Sequence, residues 1–199
     1  MVDTPSSFNR PAPGALELLL SRRSGSAKAM TGPGPDAAQL RQILSAAARV
    51  PDHGKLAPWR FIVIKDEGRT RLGEVVAMRV QQTEPDASSE RLATERGRFL
   101  RAPVIVAVVS RIKPGIAIPE WEQQLSAGAC CMTMLIAAHA LGFVGNWLTE
   151  WYSFDSAIAK HLGLDENERF AGFIYFGQPA VPLEERARPN LDDLITTFE

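Results

Sequence analysis

Pro103-Val104-Ile105-Val106-Ala107-Val108-Val109 is the stretch on which the fold turns. A strand presents alternate residues to opposite faces, and both faces are apolar here, so both must be covered. Pro103 therefore introduces Val104 to Val109, which read as a central strand covered on both faces. Working outward, Leu40, Ile43, Leu44 and Ala47 recur at i, i+3, i+4 and i+7 and predict a helix that buries one face. Pro35 and Asp36 suit its first turn, and Pro51 closes it. Arg60 to Ile64 reads as a buried strand, and Leu72, Val75 and Val76 mark another helix. A loop over residues 83–89 precedes a charged helix through Leu92 and Phe99. Glu120 opens a long helix capped by Gly142. Phe143 to Thr149 and Phe170 to Phe176 read as strands around a short helix through Phe154, Ile158 and Leu162. With a first short helix at Leu16, Leu19 and Leu20, the order predicts an α+β sandwich.

The chain has 199 residues, enough for one domain with a real core but not for two robust ones. Residues 15–199 read as that domain, and Met1 to Gly14, polar and rich in proline, as a loosely draped tail. The tail lacks the apolar core of a signal peptide. A net charge of -1 gives no general attraction to nucleic acid or an anionic membrane, so any anion site must come from local arginines. The longest apolar stretch, Ala127 to Leu141, is too short to span a bilayer. Cys130 and Cys131 are adjacent in that helix, where side chains diverge by about 100°. They read as buried structural thiols in a reducing cytoplasm, unable to pair with each other.

Three groups of residues carry candidate chemistry. Arg22, Arg23 and Ser24 follow the first helix, and two guanidiniums with a hydroxyl can clamp a phosphate. Arg186 and Arg188 alternate in an extended tail and point the same way, offering a second clamp. In isolation either pair is an ordinary exposed basic pair. The third group is the loop Pro51-Asp52-His53-Gly54-Lys55-Leu56-Ala57-Pro58-Trp59, held between a helix and a strand. A lone loop histidine is usually structural, and the three histidines lack the spacing of a zinc site. Gly32-x-Gly34 lacks the strand–helix context of a dinucleotide fingerprint, and no serine sits in a nucleophile elbow. Trp121-Glu122-Gln123-Gln124 reads as part of an interface.

Together, Arg-Arg-Ser and Pro-x-His-x-x-x-x-Pro-Trp resemble the short subgroup of the nitroreductase family of FMN-dependent oxidoreductases. The resemblance runs from about Ala15 to the C-terminus. It implies a three-layer sandwich with a mixed central sheet flanked by helices, assembled as an intertwined homodimer with FMN at the interface. It also implies phosphate contacts from Arg22, Arg23, Ser24, Arg186 and Arg188, and ring contacts from Arg49, His53, Trp147, Leu148 and Thr149. Arg49, four residues before His53 and read as lying on the same helical face, would then bring positive charge to the pyrimidine edge. NADH or NADPH would be the co-substrate and a nitroaromatic, quinone or similar compound the acceptor, with no catalytic side chain beyond the flavin. Ala137 to Gly142 corresponds to a segment proposed to meet the nicotinamide, although the packed end of a helix is the plainer reading. The loop departs from the broader family pattern, with Asp52 and His53 in place of serines, Lys55 in place of asparagine and Ala57 in place of glutamine. Leu148 stands where some relatives carry arginine. Those departures leave two alternatives open: a non-catalytic FMN storage or sensor protein, and a structural dimer whose site has decayed.

Overall fold

A computed structural model describes residues 11–199, so residues 1–10 of the expected tail lie outside the described residues. The helices are α1 (Pro13–Ser21), α2 (Ala37–Ala47), α3 (Glu67–Thr83), α4 (Ser89–Gly97), α5 (Glu120–Ala140) and α6 (Ser156–His161). The strands are β1 (Met30–Thr31), β2 (Trp59–Lys65), β3 (Val104–Arg111), β4 (Val144–Leu148) and β5 (Glu168–Pro179). The central element is β3, between β2 and β5. On its other side β5 pairs with β4, and its end pairs with the short β1.

The period-two reading of β3 holds in detail. Ile105, Ala107 and Val109 enter a core with Leu72, Val76, Phe99, Tyr152 and Phe173. Val104, Val106 and Val108 enter a second core with Ile43, Ala47, Cys130, Cys131 and Met134. The sheet is thus sandwiched between α2 and α5 on one face and α3 and α6 on the other.

The sheet is not mixed. Every described pairing is antiparallel. Lys65 lies opposite Val104 and Arg111 opposite Glu168, so each long excursion brings the chain back at the end it left. Burial of β3 on both faces follows from its helical cover, not from parallel neighbours.

The local structure corrects four further expectations. Strand β2 is an edge, not a buried strand, and Val63 is 39% exposed. Asp36 caps α2 from outside: its carboxylate accepts from the Gln39 N–H while the Gln39 side chain accepts from the Asp36 N–H. The helix then ends at Ala47, so Arg49 lies in the following turn and shares no helical face with His53. The strand β1 escaped the sequence reading because two residues carry no periodicity. Helix α1 begins at Pro13, inside the segment read as tail.

Candidate functional site

The loop after α2 is built by its own acid. Both oxygens of Asp52 are used, accepting from the N–H groups of Leu56 and Ala57 at 2.9 Å each. They hold a turn in which Gly54, Lys55 and Ala57 all have positive φ, a region that costs non-glycine residues about 1–2 kcal/mol each. The loop is fastened to the first half of α5. Ser126 Oγ donates to the Pro51 carbonyl at 2.6 Å and accepts from Trp59 Nε1 at 3.1 Å, and the Cys130 thiol donates to the Ala47 carbonyl. Burial pushes the Cys130 thiol up to about 12, so it stays protonated and inert. His53 Nδ1 lies 2.9 Å from Glu122 Oε2 on the first turn of α5.

The arginines gather elsewhere. Arg22 caps α1, and its Nη1 is buried without a hydrogen bond. His139, in the last turn of α5, also has both ring nitrogens buried and unbonded. Burial first, then the charge of Arg22, holds that imidazole below its usual range. Arg23 Nε donates to the Glu184 carbonyl at 2.8 Å, and its Nη1 lies 3.3 Å from Glu185 Oε1. The same oxygen accepts from the Arg186 N–H at 2.7 Å and lies 3.5 Å from Arg188 Nη2. Two clamps more than 160 residues apart in the chain thus converge on one anion. Ser24 is exposed beside them.

Strand β4 connects the two regions. Asn146 Nδ2 donates to the Gly25 carbonyl at 2.5 Å, tying it to the arginine segment. Trp147 leans toward Gly128 of α5, and its Nε1 donates to the Ala171 carbonyl at 3.0 Å. That carbonyl is available because β5 bulges: Val108 pairs with Gly172 and Val109 with Phe170, leaving Ala171 outside the register. Leu148 turns to the opposite core, and Thr149 is exposed. Glu150, held by Arg98 and Arg101, and Tyr152, bonded to Tyr175 at 2.9 Å, anchor the chain beyond them.

One chain does not bring all these residues together. The arginine cluster adjoins His139 at one end of α5, and His53 adjoins Glu122 at the other. At 1.5 Å per residue these helical positions are about 25 Å apart. The sequence reading found both clusters and missed their local partners: Glu122, Glu185, His139 and the Gly172 bulge. The only sequence sign of Glu122 was its place in a segment assigned to an interface. Among the described residues no cluster of three or more potential metal ligands forms, and no helix is long and apolar enough to cross a membrane.

A family model described as "Nitroreductase family" matches residues 19–178. A protein of Escherichia coli strain K12 named "Putative NAD(P)H nitroreductase YdjA" is 39% identical over 169 residues, 84% of this chain and 89% of that protein. A solved nitroreductase-like family protein from Bacillus cereus is similar in fold, with a TM-score of 0.82 at 20% identity over 96% of this chain and 98% of its own. Another, described as a "putative nitroreductase in complex with FMN" from Desulfovibrio desulfuricans, gives a TM-score of 0.71 at 26% identity, covering 96% of this chain and 99% of its own.

Proposed function

The chain belongs to the nitroreductase family, and from that premise we propose that it binds FMN between two copies of itself and passes hydride from NADH or NADPH to a nitroaromatic, quinone or similar acceptor. The observation that carries this reading is the arginine cluster. Arg22 has a buried guanidinium nitrogen with no partner, and the next residue, Arg23, already converges with Arg188 on a carboxylate. An orphaned buried donor is costly, and a phosphate would satisfy it. Arg22, Arg23, Ser24, Arg186 and Arg188 would hold the phosphate. Trp147, the Leu148 backbone and Thr149, with Arg49 and His53 of the second copy, would border the ring.

Flavin, when bound, would supply the acceptance and donation of hydride, and the oxidised nicotinamide would leave before the acceptor enters. The protein's part is orientation, exclusion of water and charge. A ribityl chain is far shorter than 25 Å, so one chain's two clusters cannot serve one flavin, whereas a second copy laid along α5 can complete each site. Trp121 and Leu125 on the outer face of α5 are 66% and 54% exposed, and Leu191, Leu194, Ile195 and Phe198 of the C-terminal arm are 58% exposed or more. These are the surfaces an intertwined homodimer would cover. The free, buried Cys130 and Cys131 accord with a cytoplasmic setting.

The test is a visible spectrum of the purified protein, followed by steady-state oxidation of NADH or NADPH with a nitroaromatic or quinone. A yellow protein with acceptor-dependent turnover is expected. A yellow protein without turnover would establish flavin storage or sensing instead, and a colourless one that cannot be reconstituted would exclude FMN.

A further inference from the structure

We propose that Glu122 is a positioning residue for His53: its carboxylate accepts from Nδ1–H, fixing the imidazole tautomer and leaving Nε2 to carry a proton to the electron acceptor. This rests on the placement of His53 beside the flavin ring proposed above. The warrant is geometric. The Nδ1 to Oε2 distance is 2.9 Å between residues 69 apart in the chain, and both partners are held by their own surroundings.

On the helix side, Gln123 is buried and bonds the N–H and carbonyl of Lys113 and the carbonyl of Ile118. The first turn of α5, and Glu122 with it, is therefore anchored on both sides of the Gln123 amide. On the loop side, Gly54 follows His53 with φ +71°, and a Cβ there would meet Ile118 Cδ1 at 2.6 Å. The histidine backbone thus sits against the same segment that anchors Glu122. Asp52, the neighbouring acid, spends both oxygens on the loop's own N–H groups and is not available to the imidazole.

Acceptor reduction needs one proton for every hydride. The nicotinamide supplies the hydride by way of the proposed cofactor. In this scheme the doubly protonated ring gives its Nε2 proton to an acceptor oxygen, the N–H bond breaking as the O–H bond forms; the neutral Nδ1–H tautomer is left, and Nε2 regains a proton from water. A carboxylate on Nδ1 keeps the ring oriented, as in other histidine–carboxylate pairs. The sequence reading, which placed no catalytic side chain beyond the flavin, had no means to see such a dyad.

The test compares wild type with Glu122→Ala and Glu122→Gln, using His53→Ala to assign the resonance. Nitrogen-15 NMR of the flavin-free protein at alkaline pH reads the tautomer directly. The wild type is expected to hold the Nδ1–H form, Glu122→Ala to move toward the Nε2–H form, and Glu122→Gln to retain Nδ1–H through its amide carbonyl. In flavin-loaded protein, Glu122→Ala should lower acceptor-dependent kcat by about tenfold, less than the 10²–10⁴ of a general acid itself. KM for the nicotinamide should not change, and Glu122→Ala should add nothing in a His53→Ala background. An unchanged tautomer in Glu122→Ala, or full additivity with His53→Ala, overturns the proposal. A protein that never takes up flavin would overturn the functional reading while the NMR result still decides whether Glu122 positions His53.

Discussion

At the scale of single residues, Arg22 is the most exacting test of the proposed phosphate site. Its Nη1 is buried and unbonded, so in the flavin-free protein the side chain carries a desolvation cost with no matching hydrogen bond. Arg22→Ala should weaken flavin binding by about 1.5–3 kcal/mol, the worth of a charge-assisted contact, while the melting temperature of the flavin-free protein does not fall. Flavin titration beside a melting curve separates these effects; equal affinity in both proteins would remove Arg22 from the site. Arg22 and His53 are nameable from the chain as candidates because each stands in a short motif whose spacing is visible there. Glu122 and Glu185 are not, since a carboxylate's role depends on what the fold brings to it. Glu122 meets a histidine 69 positions away, and Glu185 gathers arginines from both ends of the domain.

Among the elements, those with strong periodicity were read nearly to their ends, and those defined by partners were not. The alternation of β3 and the long run of α5 survive intact. The antiparallel direction of every pair, the edge position of β2 and the bulge in β5 depend on pairings that no local pattern encodes. The bulge makes a sharp prediction. A Cβ at Gly172 would stand 2.0 Å from Trp147 Nε1, so Gly172→Ala must displace the indole from the Ala171 carbonyl. Changed tryptophan emission and weaker flavin binding, with the far-ultraviolet dichroism retained, are expected; an unchanged emission spectrum would show that Trp147 is not held there.

A second element-level prediction concerns α4. Glu95 is fully buried among Arg91, Arg98 and the Trp151 indole, which locks this helix onto the segment after β4. Burial pushes its carboxyl upward, but the hydrogen bonds from Arg98 and Trp151 and the charges of Arg98 and Arg91 prevail and hold it below 4.5. Because the folded-state value is depressed, the stabilisation is complete above the unfolded-state value and disappears as pH falls through the folded one. Glu95→Ala removes the carboxylate that joins Arg91, Arg98 and the Trp151 indole, while Arg91 keeps Glu84 and Arg98 keeps Glu150, and should cost about 1.5–3 kcal/mol. That corresponds to roughly 3–12 °C in melting temperature near neutral pH. The gap between wild type and variant should narrow as the pH is lowered past 4.5. A gap that stays constant into strong acid would assign the loss to packing alone.

For the whole molecule, the distance along α5 matters most. Arg22 and His53 sit near opposite ends of a helix whose relevant span is about 25 Å, so a site needing both must draw them from different copies. The proposed organisation is only half legible in the sequence, which names both clusters but holds nothing about their separation. It can be tested without a further structure. Arg22→Ala and His53→Ala dimers each contain two damaged sites. If subunits are mixed and allowed to exchange, each heterodimer pairs the intact Arg22 of one copy with the intact His53 of the other. Its second site then carries both substitutions. With random exchange about half of the dimers are mixed, and about a quarter of all sites recover wild-type flavin affinity and turnover. Flavin titration before and after exchange counts those sites directly. If each site were built within a single chain, mixing would restore none, because every chain would keep its own lesion.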